Sequence, residues 1–273
     1  MTTPGGAVHT QDYLRLIGVS VIPPATSPFD PGYDPMTLES HIEQSGHLIS
    51  ILKLSMACWI IANEESTRRK VNAAKRHGVE TTTGGGPFEI AVSEGHLPAY
   101  LDLCADLGVN RIECGQGFTD VDLNPKEIVR MARNRGLGVQ FELGKKHHGP
   151  FAERTLSPWI DQGSRWLDAG ALQLVVEARE SAEDVGLFDS EGHLNIPFAE
   201  AFVREFGLKT VMFEAPTKAS QFALLDHFGR EVHLGNVRLE EVLRVEVYRR
   251  GLHSDSYAQP NLRPAGRLTH HRL

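Results

Sequence analysis

The stretch Gly138-Val139-Gln140-Phe141-Glu142-Leu143-Gly144-Lys145-Lys146-His147-His148 holds the key to the fold. Its first six residues alternate in character, as a short strand does when its two faces meet different surroundings. A glycine ends the run, and two lysines and two histidines follow at once. One strand end thus presents a carboxylate, Glu142, and two ammonium groups, Lys145 and Lys146, within four residues of chain. A Lys-Lys pair on its own is ordinarily a solvated turn. At the C-terminal end of a parallel barrel strand the same pair lies where chemistry is normally found.

The same layout recurs on both sides of this stretch. Upstream, strands are expected over residues 14–22, 48–54, 79–83 and 111–114, with helices over 36–45, 64–77, 97–107 and 125–135. Downstream, strands over 172–178, 210–215 and 232–237 alternate with helices over 156–169, 196–206, 220–228 and 239–251. Pro23-Pro24 ends the first expected strand, and Gly78, Gly108, Gly170, Gly207 and Gly229 stand as C-terminal helix stops. Eight short apolar strands, each followed by a helix, give one parallel α/β layout. Eight units in this length suit a closed (β/α)8 TIM barrel as a single domain over residues 1–252, with a polar tail over 253–273. The competing dinucleotide-binding sheet lacks its glycine fingerprint. Gly84-Gly85-Gly86 also lacks the lysine and hydroxyl that a phosphate-binding loop needs.

Composition narrows the function classes. At 273 residues, 41% hydrophobic and 23% charged, the chain can bury one sizeable core. A formal charge of −7, with no long basic cluster, argues against a nucleic-acid partner. The longest apolar run, residues 49–62, is interrupted by Lys53 and too short to span a membrane, and residues 1–11 lack the apolar core of a secretory signal. The cysteines Cys58, Cys104 and Cys114 are odd in number and lack metal-finger spacing, which fits a reducing cytoplasm. Arg249-Arg250 and the basic residues of 263–272 read as too polar for a core and suited to clasping a neighbouring subunit, so a homo-oligomer is expected.

The informative residues stand at the strand ends: Lys53, Glu89, Glu113, Glu142 with Lys145 and Lys146, Glu177 with Arg179 and Glu180, Glu214, and Asn236. Charges beside apolar strands are costly to bury without partners, so this set is expected to converge on one mouth. Four carboxylates with several cations suggest a metal-and-anion site that takes a small anionic substrate.

Five segments stand in order: Glu142-Leu143-Gly144-Lys145-Lys146, Glu177-Ala178-Arg179-Glu180-Ser181, Gly186-Leu187-Phe188-Asp189, Phe213-Glu214-Ala215-Pro216 and Arg249-Arg250-Gly251-Leu252. With Gly84-Gly85-Gly86-Pro87-Phe88-Glu89 they resemble the phosphosulfolactate synthase family of coenzyme M biosynthesis, over about residues 48–256. The resemblance implies a (β/α)8 barrel that adds sulfite to phosphoenolpyruvate with Mg2+. It implies Lys146 as the general acid that protonates C2, with Lys145 beside it depressing its pKa and Lys53 and Glu142 in the catalytic set. Glu142, Glu177 and Glu214 become candidates to hold Mg2+. Arg179, Glu180, Ser181, Glu113 and Asn236 become candidates to hold the substrate. Several places depart from the family pattern. The expected end of the first strand reads Ile22-Pro23-Pro24-Ala25 instead of an acidic and a basic residue. Lys53 is followed by Leu54-Ser55-Met56-Ala57-Cys58, Glu113 by Cys114-Gly115-Gln116-Gly117, and Arg179-Glu180 by Ser181-Ala182-Glu183-Asp184. These departures keep open a relative with another substrate, in secondary metabolism, or a non-catalytic barrel serving as a stress or interaction protein.

Overall fold

The computed structural model describes residues 9–262, except residues 20 and 148. Eight parallel strands close into a barrel in sequence order. They are β1 (Thr26–Asp30), β2 (Leu52–Leu54), β3 (Thr81–Thr83), β4 (Arg111–Cys114), β5 (Gly138–Leu143), β6 (Gln173–Val176), β7 (Val211–Glu214) and β8 (His233–Arg238). Eleven α-helices accompany them among the described residues. In chain order these are α1 (Thr10–Leu16), α2 (Pro35–Ser45), α3 (Cys58–Ile61), α4 (Glu64–Arg76), α5 (Gly85–Ser93), α6 (Leu97–Leu107), α7 (Pro125–Arg133), α8 (Glu153–Ala169), α9 (Ile196–Phe206), α10 (Lys218–Phe228) and α11 (Val242–Arg249). The expected single-domain (β/α)8 barrel is therefore the fold.

Strand β5 shows why these sequences sit as they do. Successive residues point to opposite faces. Phe141 therefore turns outward and stacks on Trp166 of α8, with ring centroids 4.3 Å apart. Gln140 and Glu142 turn inward, and the Gln140 amide donates to Glu113 across the β4–β5 register at 2.9 Å. One pleat below the charged strand ends, Ile51, Val175 and Met212 meet as a small apolar plug inside the barrel. Charge above and hydrocarbon below direct the polar chemistry to the C-terminal mouth.

The first expected strand is corrected. Residues 10–16 form helix α1, in which nothing is buried, and the barrel's first strand is Thr26–Asp30, buried along its whole length. Its Pro28 carries no N–H for a ladder, and the pairing of β1 with β8 shifts register between Thr26 and Pro28. The strand therefore ends in an acidic residue after all. Asp30 accepts from the buried Lys70 at 2.7 Å and from the backbone N–H groups of Gly32 and Tyr33.

The reading of the last helix also changes. Arg249 is fully buried and belongs to the barrel's closure. Its guanidinium donates to the carbonyls of Arg230, Val232 and Ala25, to the Thr26 hydroxyl and to Glu246. The tail is not loose where it begins. Ser256 and Leu262 are buried, and Asn261 donates to the Asp226 carbonyl at 2.8 Å. The basic residues of 263–272 lie outside the described residues. Among the described residues no helix is long and apolar enough to cross a membrane.

Candidate active site

A cavity of about 610 Å3 opens at the C-terminal ends of the strands. Lys53, Glu113, Glu142, Lys146, Glu177, Arg179, Glu180, Ser181, Glu214 and Asn236 all line it. Of the residues expected at this mouth, Lys145 and Glu89 do not line the cavity.

Two cations, the buried Lys53 and the half-buried Lys146, organise the floor. The Lys53 ammonium lies 2.7 Å from Glu113 and 3.1 Å from Glu214. The Lys146 ammonium lies 2.7 Å from Glu177 and 3.1 Å from Glu142. Glu214 also accepts from the Asn236 amide at 2.5 Å and from the Ala178 N–H at 2.9 Å. Glu177 accepts the Arg179 N–H at 2.6 Å, and the Arg179 guanidinium donates to the Lys146 carbonyl at 3.2 Å. The β6 loop is thereby tied to the Lys146 backbone.

Gly144 makes the bend between β5 and Lys146 possible. It has φ of +139°, and a Cβ there would lie 2.6 Å from the Glu177 Cβ. Around the rim Met56, Arg179 and Asn236 hold positive φ of 51°, 56° and 50°. Such conformations are costly for residues other than glycine and concentrate at functional sites.

Four carboxylates (Glu113, Glu142, Glu177, Glu214) face two ammoniums, leaving two formal negative charges before Arg179 is counted. The titration shifts follow from this crowding. Burial raises Glu142, and the neighbouring Glu177 raises it further against the pull of Lys146 and Lys53. Burial and Glu214 raise Glu177, and burial raises Glu214 with help from Glu142 and Glu113. Burial works to lower both lysines, yet the carboxylates outweigh it. Glu113, Glu214 and Glu142 hold Lys53 well above the ordinary lysine range, and Glu142, Glu177 and Glu214 do the same for Lys146.

The expectation of a depressed Lys146 is thus corrected, and so is the part given to Lys145. The Lys145 ammonium turns out of the cavity to the Thr119 carbonyl at 2.9 Å and to Asp120 at 3.0 Å. Adjacent residues on the turn point to different sides, so only the second lysine enters the site. Glu89, expected at a strand end, lies buried in α5 and accepts from backbone N–H groups beyond β4. Sequence reasoning also missed the cavity's apolar wall of Met56, Ala57, Pro87 and Ile90. Its signals were the hydrophobic run after Lys53, which holds Met56 and Ala57, and the apolar residues of α5, which hold Pro87 and Ile90.

Among the described residues no three His, Cys, Asp or Glu side chains converge closely enough to hold a metal by themselves. Glu142, Glu177 and Glu214 each contact a lysine. Their chemistry nonetheless fits Mg2+, which takes hard oxygen donors and is usually held by one or two carboxylates together with substrate oxygens and water. The surplus negative charge suits a divalent ion.

A closed parallel barrel with alternating acids and lysines at its C-terminal mouth defines a (β/α)8-barrel enzyme. The chain belongs to the (2R)-phospho-3-sulfolactate synthase (ComA) family, whose model matches residues 24–255. It is 31% identical over 250 residues to the phosphosulfolactate synthase of Methanocaldococcus jannaschii, covering 91% of this chain and 96% of that protein. It is 28% identical over 242 residues to the phosphosulfolactate synthase of Methanothermobacter thermautotrophicus, covering 87% and 92%. These relatives mark the chain as a ComA-like lyase. Among solved structures it is similar to KGPDC from Streptococcus mutans, with a TM-score of 0.52 at 13% identity over 81% of this chain and 90% of that one. That likeness is one of fold.

Proposed function

We propose that this enzyme adds a small nucleophile, sulfite in the first instance, to C3 of phosphoenolpyruvate or a similar enolpyruvate acceptor, with Lys146 delivering the proton to C2. The observation that carries the reading is the Lys146 ammonium, held at the cavity floor between Glu142 and Glu177 in a chain of this family. The balance is simple. The nucleophile's lone pair forms the bond to C3, and the C2–C3 π pair moves into the carboxylate to give an enediolate. That pair returns to C2 and takes a proton from Lys146, which is then reprotonated from solvent. No group leaves.

A lysine held above its usual range stays protonated at working pH, so the donor is loaded before substrate arrives. It is a weaker acid than a free lysine, but an enediolate carbon is far more basic than any amine. Lys53 and Arg179 supply positive charge for the acceptor's anionic groups, as a small anionic substrate requires. Glu180 and Ser181 border the mouth, and Asn236 fixes Glu214, while Glu113 fixes Lys53. Mg2+ would be held by Glu142 and Glu177 together with substrate oxygens, and when bound it would supply charge neutralisation for the developing enediolate.

The apolar wall of Met56, Ala57, Pro87 and Ile90 favours a second reading, in which the same step acts on a different acceptor or nucleophile. Incubation with phosphoenolpyruvate, sulfite and Mg2+, followed by 31P NMR, tests the first. A new phosphate ester appearing only with enzyme supports it. Unchanged phosphoenolpyruvate in the presence of folded enzyme removes that substrate pair. The three unpaired cysteines suit a reducing cytoplasm as the place of action. Exposed Leu243 and Val247 on α11 line one groove together with exposed Val21, and this apolar patch supports a homo-oligomer. A monomer by light scattering at micromolar concentration would remove that assignment.

A further inference from the structure

We infer that Glu89 is a positioning residue for Lys146, acting through the turn of residues 117–119. The inference rests on the reading of Lys146 as the proton donor, and it adds a residue that touches neither substrate nor reacting atoms. Glu89 is 1% exposed. Its carboxylate accepts the backbone N–H groups of Gly117, Phe118 and Thr119 at 2.9, 3.0 and 3.0 Å, and the Thr119 hydroxyl at 3.0 Å. Three successive amides of one turn are therefore gathered onto a single side chain fixed in a helix. A carboxylate offers two acceptor oxygens with about four lone-pair sites, and this turn uses them on four donors.

The gathered turn then grips the lysine segment in three ways. The Lys146 N–H donates to the Gly117 carbonyl at 2.9 Å, and the Lys145 ammonium donates to the Thr119 carbonyl at 2.9 Å. The third grip is steric. A Cβ at position 117 would lie 2.8 Å from Lys146 Cε and 3.0 Å from Lys146 Cγ. The bare glycine therefore forms the wall along which the Lys146 stem runs to Glu142 and Glu177. Glu89 fixes the turn, the turn's glycine fixes the stem, and the stem fixes the ammonium. Each link is a short contact between buried or half-buried groups.

Two variants separate positioning from simple support. Gly117→Ala keeps the Glu89 carboxylate but crowds the Lys146 stem most closely, at 2.8 and 3.0 Å, and Glu89 Oε1 less, at 3.3 Å, so the stem is the first to be pushed aside. A displacement of about 1 Å can cost on the order of a hundredfold in rate. Glu89→Gln keeps the shape but turns one acceptor oxygen into an N–H donor facing the turn's own N–H groups, and Glu89→Asp keeps both acceptors. Expected for Gly117→Ala is a fall in kcat of about ten- to a hundredfold with KM for the acceptor nearly unchanged, at a Tm within a few degrees of wild type. Glu89→Gln should show the same kcat-selective loss and faster hydrogen exchange at residues 117–119, with Glu89→Asp recovering part of the rate. Folded variants that keep wild-type kcat would overturn the inference, as would activity that falls only in proportion to the folded fraction. A crystal structure of Gly117→Ala gives an arm that does not depend on turnover. The Lys146 ammonium displaced from Glu177 supports the inference, and an ammonium still in hydrogen-bond reach refutes it, even if the proposed substrates prove wrong.

Discussion

Arg249→Ala should be among the most damaging single changes outside the cavity. The guanidinium has no exposed surface and meets five acceptors, among them the carbonyls of Ala25, next to β1, and Val232, next to β8. Truncation strands those carbonyls, each worth about 1–3 kcal/mol if left without a partner in a dry interior. It also leaves Glu246 with one cation fewer while still buried. Relaxation and entering water recover part of the cost, so the net loss should be about 3–5 kcal/mol, the range for breaking a buried ion pair. For a chain of this size that is a fall in Tm of roughly 6–20 °C. Urea unfolding followed by tryptophan fluorescence measures it, since Trp166 and Trp59 are buried in the barrel wall. Arg250→Ala is the control, because Arg250 meets Glu246 from a more exposed position. It should cost about 1 kcal/mol or less. A loss below about 1 kcal/mol for Arg249→Ala, with an unchanged denaturant slope, would refute the assignment of this residue to barrel closure.

Three further outcomes follow from the charge arrangement. Glu142 has a folded pKa raised above 4.5, so its ionisation opposes folding at pH values above that raised pKa, and the penalty fades as pH falls through it. Glu142→Gln should therefore raise Tm at pH 8, by a margin that shrinks as the pH approaches 4.5; a margin that grows on acidification would contradict the sign. Lys145→Ala should keep kcat within about threefold and leave the pH profile in place, since its ammonium is spent on Thr119 and Asp120 outside the cavity. A shifted profile would show that it acts on Lys146 after all. In the presence of phosphoenolpyruvate, Mg2+ at a hundredfold excess over Kd should add about 2.7 kcal/mol to the unfolding free energy, read as a higher Tm, and much less in its absence. Full turnover after exhaustive chelation would remove the metal from the account.

Much of this was legible because periodicity is a strong signal. Strand β5, helix α6 and helix α9 lie where their patterns put them, and the strand-end charges converge because parallel topology leaves them only one mouth. Strand β1 was hidden because Thr26–Asp30 is polar and carries a proline, whereas Leu14 and Leu16, in a more apolar stretch, stand in α1 outside the barrel. Arg249 read as a surface residue because nothing in the sequence shows that five acceptors from distant segments gather around it. Lys145 and Lys146 are identical in type and adjacent in the chain, and only the turn's geometry sends one inward. The titration of Lys146 was misjudged for a related reason. Its sequence neighbour is a cation, but its spatial neighbours are Glu142 and Glu177.

The central claim is that Lys146 gives the proton to C2, and Lys146→Arg tests it most directly. A guanidinium keeps the charge, so it can still bind an anion, but its longer planar fork does not put a proton where the compact Lys146 ammonium stands between Glu142 and Glu177. With phosphoenolpyruvate and sulfite in D2O, the wild type should place one deuterium at C2 of the product. Lys146→Arg should lower kcat by about a hundredfold or more while KM for the acceptor changes little. A Lys146→Arg enzyme with near-normal kcat and undiminished deuterium incorporation would contradict the assignment and leave Lys146 as an anion-binding residue.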